Sequence, residues 1–269
     1  MTIEEPKTPL FIERQEGRGV TRIILNRPER HNAFNDQLIT DLTAVLRGIE
    51  GDKTVRLLVL AAAGKSFCAG ADLKWMRAMA DYGPEENLRD AEQLAELMRA
   101  LDELRKPTLA LVQGPAYGGG VGLVSCCDIA IASSDATFAL SEVRLGLIPS
   151  VISPHVIAAM GRRAARRYFL TGERFSAEEA QRHGLVHEVV PPERLEEAGA
   201  AVIETLLAGG PSAQQEAKDL IVQVAGQPCD DRLRRRTAEG IARLRASEEG
   251  KEGLNAFLEK RPPAWRNEA

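Results

Sequence analysis

The sequence has few cysteines, few aromatic residues and no long apolar run. Four of its 269 residues are cysteines, and none form a CxxC pair. We therefore expect buried, reduced thiols, as in a reducing compartment, rather than disulfides or a metal site. No apolar stretch reaches the roughly 18–20 residues that span a bilayer, and the first residues lack the apolar core of a signal peptide. We predict a cytoplasmic protein with no membrane association and no metal.

The chain also lacks an excess of positive charge. Its net charge is −4 and its pI about 5.7, so no whole-molecule field attracts nucleic acid. Two arginine clusters leave RNA binding as an alternative: Arg162, Arg163, Arg166 and Arg167, and Arg232, Arg234, Arg235 and Arg236. Helical arginines are usually a solvated face, and an aromatic content of 4% offers little base stacking. We therefore expect no nucleic-acid partner.

Strand-like and helix-like segments alternate in the first half of the chain. Four β-rich apolar runs predict strands: Val20–Leu25, Val55–Leu60, Thr108–Val112 and Asp128–Ala132. Between them, apolar residues at helical spacing predict one helix from Phe34 to Ile49 and another from Pro84 to Leu101. Strands joined by helical crossovers are typical of a largely parallel α/β core.

The second half is mainly helical. Patterns predict helices over Pro211–Ala225, Asp231–Arg245 and Ser247–Lys260. We divide the chain into an α/β core, residues 1–190, and a helical C-terminal section, residues 191–269. We do not expect the latter to fold alone, so it should pack on the core or on another subunit.

A first turn of small residues, Gly64–Lys74, directly follows the second predicted strand. Ala69, Gly70 and Ala71 would let a ligand come close to the backbone. Asp72 would stabilise the start of a helix over Leu73–Met79, whose first N–H groups have no internal partners. Alone, the segment is equally typical of a tightly packed strand-to-helix turn.

A second, glycine-rich turn follows the strand Thr108–Val112. Gly118, Gly119 and Gly120 precede an apolar helix, so backbone N–H groups would again be accessible. The dinucleotide-binding pattern GxGxxG fails because Leu123 replaces its third glycine, and no GxxxxGK[ST] occurs. Two N–H groups from separate turns can instead bracket one oxygen, as in an oxyanion hole. Each such donor contributes about 3–4 kcal/mol to a transition state.

An ordered series of motifs carries a resemblance to a known family. They are Asn26-Arg-Pro-Glu-Arg-His-Asn-Ala33, Phe67-Cys-Ala-Gly-Ala-Asp-Leu73, Gly118-Gly-Gly, Cys127-Asp-Ile and Phe138-Ala-Leu-Ser-Glu-Val-Arg-Leu-Gly-Leu-Ile-Pro149. Over about residues 10 to 261, the chain resembles the enoyl-CoA hydratase/isomerase (crotonase) superfamily. The resemblance implies a spiral of ββα units with a helical C-terminal section, an acyl-CoA substrate, no separate cofactor, and assembly as a homotrimer or a dimer of trimers.

The resemblance also implies site residues. It places the oxyanion donors on the N–H groups of Ala71 and Gly119, and the acid/base role on Glu142. Coenzyme A contacts fall around Arg30, Ala69, Asp72 and Leu73. Phe257 and Lys260 match positions that touch the ligand of a neighbouring subunit. Glu142 could instead be a solvated carboxylate or a partner of Arg144, and Lys260 a solvated helix end.

One position departs from the pattern of hydratases with two glutamates. Gly122 stands where the first would be, which leaves Glu142 alone and leaves space, we expect, for a substituent on Cβ or a further water. Residues Gly122 to Val156 resemble hydratases of branched acyl-CoAs, of the methylglutaconyl-CoA and isohexenylglutaconyl-CoA kind. A 3,2-enoyl-CoA isomerase is the alternative, and a non-catalytic CoA-binding protein a remote one.

Further residues are candidates without a settled role. Ser150, Ser153 and His155 could hold the attacking water, although each is also typical of a structural role. Trp75, Met76, Met79 and Tyr82 would border the acyl chain, or simply pack in the apolar interior.

Overall fold

The structure, a computed structural model, describes residues 8–15 and 17–266. These residues form nine strands: β1 Leu10–Gln15, β2 Val20–Leu25, β3 Leu57–Ala62, β4 Thr108–Val112, β5 Ala116–Tyr117, β6 Ile129–Ser133, β7 Thr137–Ala139, β8 Arg174–Ser176 and β9 Glu188–Val190. The larger sheet has the order β1-β2-β3-β4-β6-β9, in which only β1 is antiparallel to its neighbour. The smaller sheet has the order β5-β7-β8.

Ten α-helices connect and cover these sheets. They are α1 Asp36–Gly51, α2 Leu73–Met79, α3 Pro84–Asp102, α4 Gly119–Cys126, α5 Ser153–Thr171, α6 Ala177–Arg182, α7 Leu195–Leu207, α8 Pro211–Val224, α9 Asp231–Ala246 and α10 Glu248–Leu258. Successive ββα units, such as β1-β2-α1, β4-β5-α4 and β6-β7-α5, confirm the predicted α/β fold with its helical C-terminal section. None of the described helices is long and apolar enough to cross a membrane.

Side chains of the central strands β3, β4 and β6 of the larger sheet are buried on both faces. In β3, Leu58 and Leu60 enter the main core, whereas Leu57 and Val59 enter a second core beneath α7. Successive residues of a strand point to opposite faces. Burial of both faces therefore explains why these central strands are continuous apolar runs instead of alternating ones.

Polar side chains set where several helices begin. The side chain of Asn35 accepts a hydrogen bond from Leu38 N–H at the start of α1, and Asp72 accepts one from Lys74 N–H at the start of α2. At α6, Ser176 and Glu179 form the predicted capping box. These caps fix the ends of the loops that carry the site.

Helix α8 joins the last three helices to the core through polar contacts, and α9 and α10 pack against α8. Lys218 of α8 donates to the carbonyl oxygen of Lys106 at 3.1 Å and to the Asp128 carboxylate at 2.7 Å. No residue of α8 is buried, and only Ala256 is buried in α10. Phe257 of α10 is 82% exposed. The C-terminal section therefore leaves apolar side chains uncovered in the single chain.

Candidate active site

The first turn presents a backbone N–H without a partner. Phe34 N–H donates to the Gly70 carbonyl at 2.7 Å, and Asp72 N–H donates to the Phe34 carbonyl at 2.8 Å. These two bonds form a parallel bridge between Phe34 and Ala71. In such a bridge the N–H of the middle residue, here Ala71, points away from the partner segment. No hydrogen bond among residues 8–15 and 17–266 uses the Ala71 N–H.

The second turn also presents backbone N–H groups without a partner, at the start of α4. Gly118 has φ +50, a conformation that glycine adopts readily. Its N–H bonds to the Ala139 carbonyl, and its own carbonyl accepts the N–H groups of Val121 and Gly122. Within the described residues, Gly119 and Gly120 N–H remain unpaired.

The packing of the second turn explains why its residues are glycines. A β-carbon at Gly119 would lie 2.7 Å from Cε2 of Phe34, and one at Gly120 would lie 2.3 Å from the Cys68 carbonyl oxygen. Side chains at these positions would therefore displace neighbouring atoms.

Backbone contacts hold the two turns side by side. Tyr117 N–H donates to the Cys68 carbonyl at 2.8 Å, and Cys68 forms an isolated bridge with Ala116. A β-carbon on Gly70 would lie 3.3 Å from the Tyr117 carbonyl oxygen. The structure thus brings together the two turns that the sequence separates by more than forty residues.

Glu142 lies directly against the second turn. It begins a short 3-10 helix, Glu142–Leu145, which ends at Gly146 in the left-handed conformation. Its Oε1 would be 3.1 Å from a β-carbon on Gly118. Its Oε2 is buried and has no hydrogen-bond partner among the described residues. Burial raises the pKa of the Glu142 carboxyl above its ordinary value.

The two structural alternatives for Glu142 find no support. Within the described chain, no ion pair joins Glu142 to Arg144, although that arginine is only two residues away. The Glu142 side chain is also not a freely solvated one, because one of its oxygens is shielded from solvent. A buried carboxylate oxygen without a donor is costly for the fold and typical of a functional group.

The expected space beside Gly122 is absent, and that expectation was wrong. A β-carbon on Gly122 would lie 2.4 Å from Cγ2 of Ile152 and 3.1 Å from Cε of Met98. Both side chains belong to the main core. Gly122 is therefore required for close packing of α4 against its neighbours, and it leaves no room for a substrate substituent or a water.

The three candidates for holding a water make other contacts. Ser153 Oγ donates to the Ser150 carbonyl at 2.7 Å. His155 Nδ1 lies 3.5 Å from Asp102 Oδ1, and their ligand atoms and Cys126 Sγ all lie within 4.8 Å of one another. Burial raises the pKa of the Cys126 thiol well above its ordinary value, which favours the protonated form, a poor metal ligand. The absence of a metal remains a prediction.

The expected coenzyme A contacts differ in their surroundings. Arg30 is exposed, Ala69 is half-buried, and Leu73 is 74% exposed. Asp72 is only 6% exposed, and its carboxylate is fully engaged within the chain, by Arg27 at 2.9 Å and by the N–H of Lys74 at 2.8 Å. Its side chain thus anchors the first turn to Arg27, whose role no sequence pattern beyond the Asn26–Ala33 motif indicates.

Phe257 and Lys260 are not joined to the two turns within one chain. Phe257 lies in the last turn of α10 and Lys260 just after that helix, with φ +56, and both are exposed. No described hydrogen bond or ion pair connects either residue to the turns. Their expected contact with the ligand of a neighbouring subunit remains a prediction.

The residues expected to border an acyl chain lie on and after α2. Trp75 is buried, and its indole N–H donates to Asp90 at 3.1 Å. Met79 packs against the main core, whereas Met76 and Tyr82 are half-buried. Trp75 therefore has a clear packing role, and Met76 and Tyr82 have surface available for contact with a ligand.

Acidic neighbours partly neutralise the arginine clusters. Arg235 pairs with Glu239 at 2.9 Å, Arg167 pairs with Glu173 at 2.6 Å, and Arg234 pairs with Asp231. Such pairing is typical of a solvated helix surface rather than of a surface that binds RNA.

Comparison with known proteins identifies the family. The family model described as enoyl-CoA hydratase/isomerase matches residues 15–268. The chain belongs to the enoyl-CoA hydratase/isomerase family. The crystal structure of an enoyl-CoA hydratase from Shewanella pealeana is 46% identical in sequence, covers 96% of each chain and superposes with a TM-score of 0.92.

Curated members of the enoyl-CoA hydratase/isomerase family show similar coverage. The chain is 34% identical over 250 residues to the (E)-benzylidenesuccinyl-CoA hydratase of Thauera aromatica, covering 92% of this chain and 95% of that protein. It is 33% identical over 258 residues to a mitochondrial enoyl-CoA hydratase domain-containing protein 3 of Xenopus laevis, covering 96% and 86%. These matches confirm the superfamily resemblance and the expectation of an enzyme that acts on acyl-CoA.

Proposed function

We propose that the chain hydrates 2-enoyl-CoA thioesters and that Glu142 is its single catalytic acid/base. The observation that carries the proposal is the buried, unpartnered Oε2 of Glu142, whose other oxygen, Oε1, lies against Gly118. A carboxylate with a free lone pair and a raised pKa suits general acid/base chemistry. The neighbouring turns supply backbone donors for a carbonyl oxygen.

The proposed mechanism uses the site residues as follows. The N–H groups of Ala71 and Gly119 bind the thioester oxygen and stabilise the enolate that forms when the C2=C3 bond is attacked. The Glu142 carboxylate removes a proton from the attacking water as its oxygen bonds to C3. Glu142 then returns that proton to C2, the enolate collapses, and the product is a 3-hydroxyacyl-CoA. No separate cofactor or metal takes part.

Coenzyme A would bind along the first turn. Arg30 can pair with phosphate groups, since it is exposed and cationic. Ala69 and Leu73 offer backbone and apolar contacts, while the hydrogen bonds of Asp72 stabilise the conformation of the turn. Phe257 and Lys260 of a neighbouring subunit would complete the site.

We propose a β-branched or carboxylated acyl chain as the preferred substrate. The stretch from Gly122 to Val156 resembles methylglutaconyl-CoA and isohexenylglutaconyl-CoA hydratases. The relative from Thauera aromatica is named for a carboxylated, substituted acyl-CoA. Both observations favour an acyl chain larger than the crotonyl group. Because the space at Gly122 is filled, we propose that any branch lies elsewhere, against the half-buried side chains of Met76 and Tyr82.

We further propose a cytoplasmic homotrimer or dimer of trimers. In such an assembly another subunit would cover the exposed apolar side chains of α10, which are Leu254, Phe257 and Leu258. Sedimentation analysis of the full chain tests this, and a monomer would contradict it.

A 3,2-enoyl-CoA isomerase is the second candidate. A single glutamate can remove a proton from C2 and return it to C4 while the same two N–H groups hold the dienolate oxygen. The single Glu142, with glycine at position 122, is compatible with this candidate as well as with the hydratase.

Isotope labelling separates the two reactions. The chain is incubated in H2¹⁸O with straight, branched and carboxylated 2-enoyl-CoAs and with a 3-enoyl-CoA. The masses of the products are measured by mass spectrometry. We expect ¹⁸O in a 3-hydroxyacyl product, with faster turnover of branched or carboxylated substrates than of crotonyl-CoA. Conversion of 3-enoyl-CoA to 2-enoyl-CoA without ¹⁸O would establish the isomerase. Binding without turnover of any thioester would establish a non-catalytic CoA-binding protein.

A further inference from the structure

We infer that Phe34 is a positioning residue that fixes the distance between the two oxyanion donors, Ala71 N–H and Gly119 N–H. The inference deepens the proposed function and rests on it. Phe34 is 2% exposed and immediately precedes Asn35, the residue that caps α1. Sequence periodicity assigns Phe34 only to the apolar stripe of that helix.

The backbone of Phe34 holds the first donor. Its N–H bonds to the Gly70 carbonyl at 2.7 Å and its carbonyl accepts the Asp72 N–H at 2.8 Å. The two bonds flank Ala71 and fix the peptide units on both of its sides. Any displacement of the Phe34 backbone therefore displaces the Ala71 N–H with it.

The ring of Phe34 supports the second donor. Its Cε2 and Cδ2 atoms would lie 2.7 Å and 3.0 Å from a β-carbon on Gly119, so the ring occupies the space beside that Cα. Oε1 of Glu142 approaches the preceding residue, Gly118, to a similar extent. The Gly118–Gly119 segment thus has the Phe34 ring and the Glu142 carboxylate as immediate neighbours.

Other contacts align the turns less directly. The Tyr117–Cys68 hydrogen bond and the Cys68–Ala116 bridge join residues that precede each donor by two or three positions. Phe34 instead bonds to the residues on both sides of Ala71, its bridge partner, and places its ring against Gly119 itself. A smaller side chain at position 34 would leave the backbone bonds possible but remove the support beneath Gly119, and misplacement of a catalytic group by about 1 Å can cost about 100-fold in rate.

The test compares Phe34→Leu and Phe34→Met, both of which remove the ring, with Phe175→Leu. Phe175 is a matched control because it is equally buried and stacks on Tyr168, with ring centroids 4.0 Å apart. We expect the Phe34 variants to lose about 10- to 100-fold in kcat. Their KM and coenzyme A affinity should stay within about twofold, because the lost interaction acts in the transition state. Phe175→Leu should lower Tm comparably but keep kcat.

A spectroscopic readout isolates the donors from the rest of the reaction. A 3-oxoacyl-CoA ionises to an ultraviolet-absorbing enolate, and two well-placed N–H donors raise the bound enolate fraction at fixed pH. We expect the wild type to bind this probe as enolate and Phe34→Leu to lower the enolate-to-ketone ratio at least about tenfold. Phe34→Met provides the same comparison if Phe34→Leu does not fold.

The outcomes separate this inference from the proposed function. If the wild type stabilises the enolate and both folded Phe34 variants do so equally, with unchanged kcat, the inference is overturned and the hydratase proposal stands. An equal loss of kcat in Phe175→Leu also overturns it, since the effect would then follow from general destabilisation. If the wild type neither stabilises the enolate nor turns over any enoyl-CoA, the proposed function fails and the inference fails with it.

Discussion

Substitutions at Gly122 test whether this glycine serves packing. A methyl group there would meet Ile152 Cγ2 at 2.4 Å and Met98 Cε at 3.1 Å. Overpacking of this kind lowers the free energy of unfolding by about 1–3 kcal/mol. Alanine in place of a helical glycine raises it by about 1 kcal/mol. Gly48, in α1, is a matched control because a β-carbon there would have no neighbour within 4 Å. Gly48→Ala should therefore gain helix stability without any clash.

The difference between the two variants measures the clash. We expect Gly122→Ala to be less stable than Gly48→Ala by about 1–3 kcal/mol, or about 2–12 °C in Tm. Gly122→Glu should be worse, because it adds a buried carboxylate without a partner. Ile152→Ala should partly rescue Gly122→Ala, since it removes the clashing methyl group. Thermal unfolding by circular dichroism provides the values. A Gly122→Glu variant as stable as the wild type would refute the filled-space assignment.

Two further predictions concern pH. Burial raises the pKa of Glu142. We therefore expect kcat/KM to rise with pH along an acidic limb whose apparent pKa lies above the ordinary value of about 4.3. An apparent pKa at or below that value would contradict a buried catalytic Glu142. At Asp72, burial alone would raise the pKa, but the Lys74 N–H and Arg27 outweigh it and lower the pKa. Asp72→Asn should therefore cost up to about 3–5 kcal/mol at neutral pH. That deficit should be complete above about pH 4 and should shrink as the pH falls toward the lowered pKa of the folded carboxyl, because the unfolded wild-type chain then takes up a proton at Asp72. A pH-independent difference in urea unfolding would contradict the ion pair.

Local signals predicted the main elements well. Thr108–Val112 and Leu73–Met79 have the predicted bounds because an apolar run and a helix cap mark them in the sequence itself. The strands β5, β7 and β8 were not predicted, since two or three residues are too few to show a period. Helix α5 was missed because Gly161, with φ +75, interrupts its regular pattern.

The site was predictable where the residue types themselves indicate the chemistry. Consecutive glycines and a carboxylate in a motif indicated the second turn and Glu142. What fills the space around them depends on residues distant in sequence. Ile152 occupies the position beside Gly122 from thirty residues away, and the bonds of Phe34 to the first turn depend on the path of the chain before α1. Neither contact has a sequence pattern of its own.

The most direct test of the central claim is the kcat of Glu142→Gln on the best enoyl-CoA substrate. Glutamine keeps the size of the side chain but cannot accept a proton at the position of the unpartnered oxygen. Turnover should fall at least about 100-fold, the lower end of what a positioned acid/base contributes, while coenzyme A affinity and Tm remain close to wild type. A Glu142→Gln variant that folds, binds and retains wild-type kcat would show that another residue moves the proton.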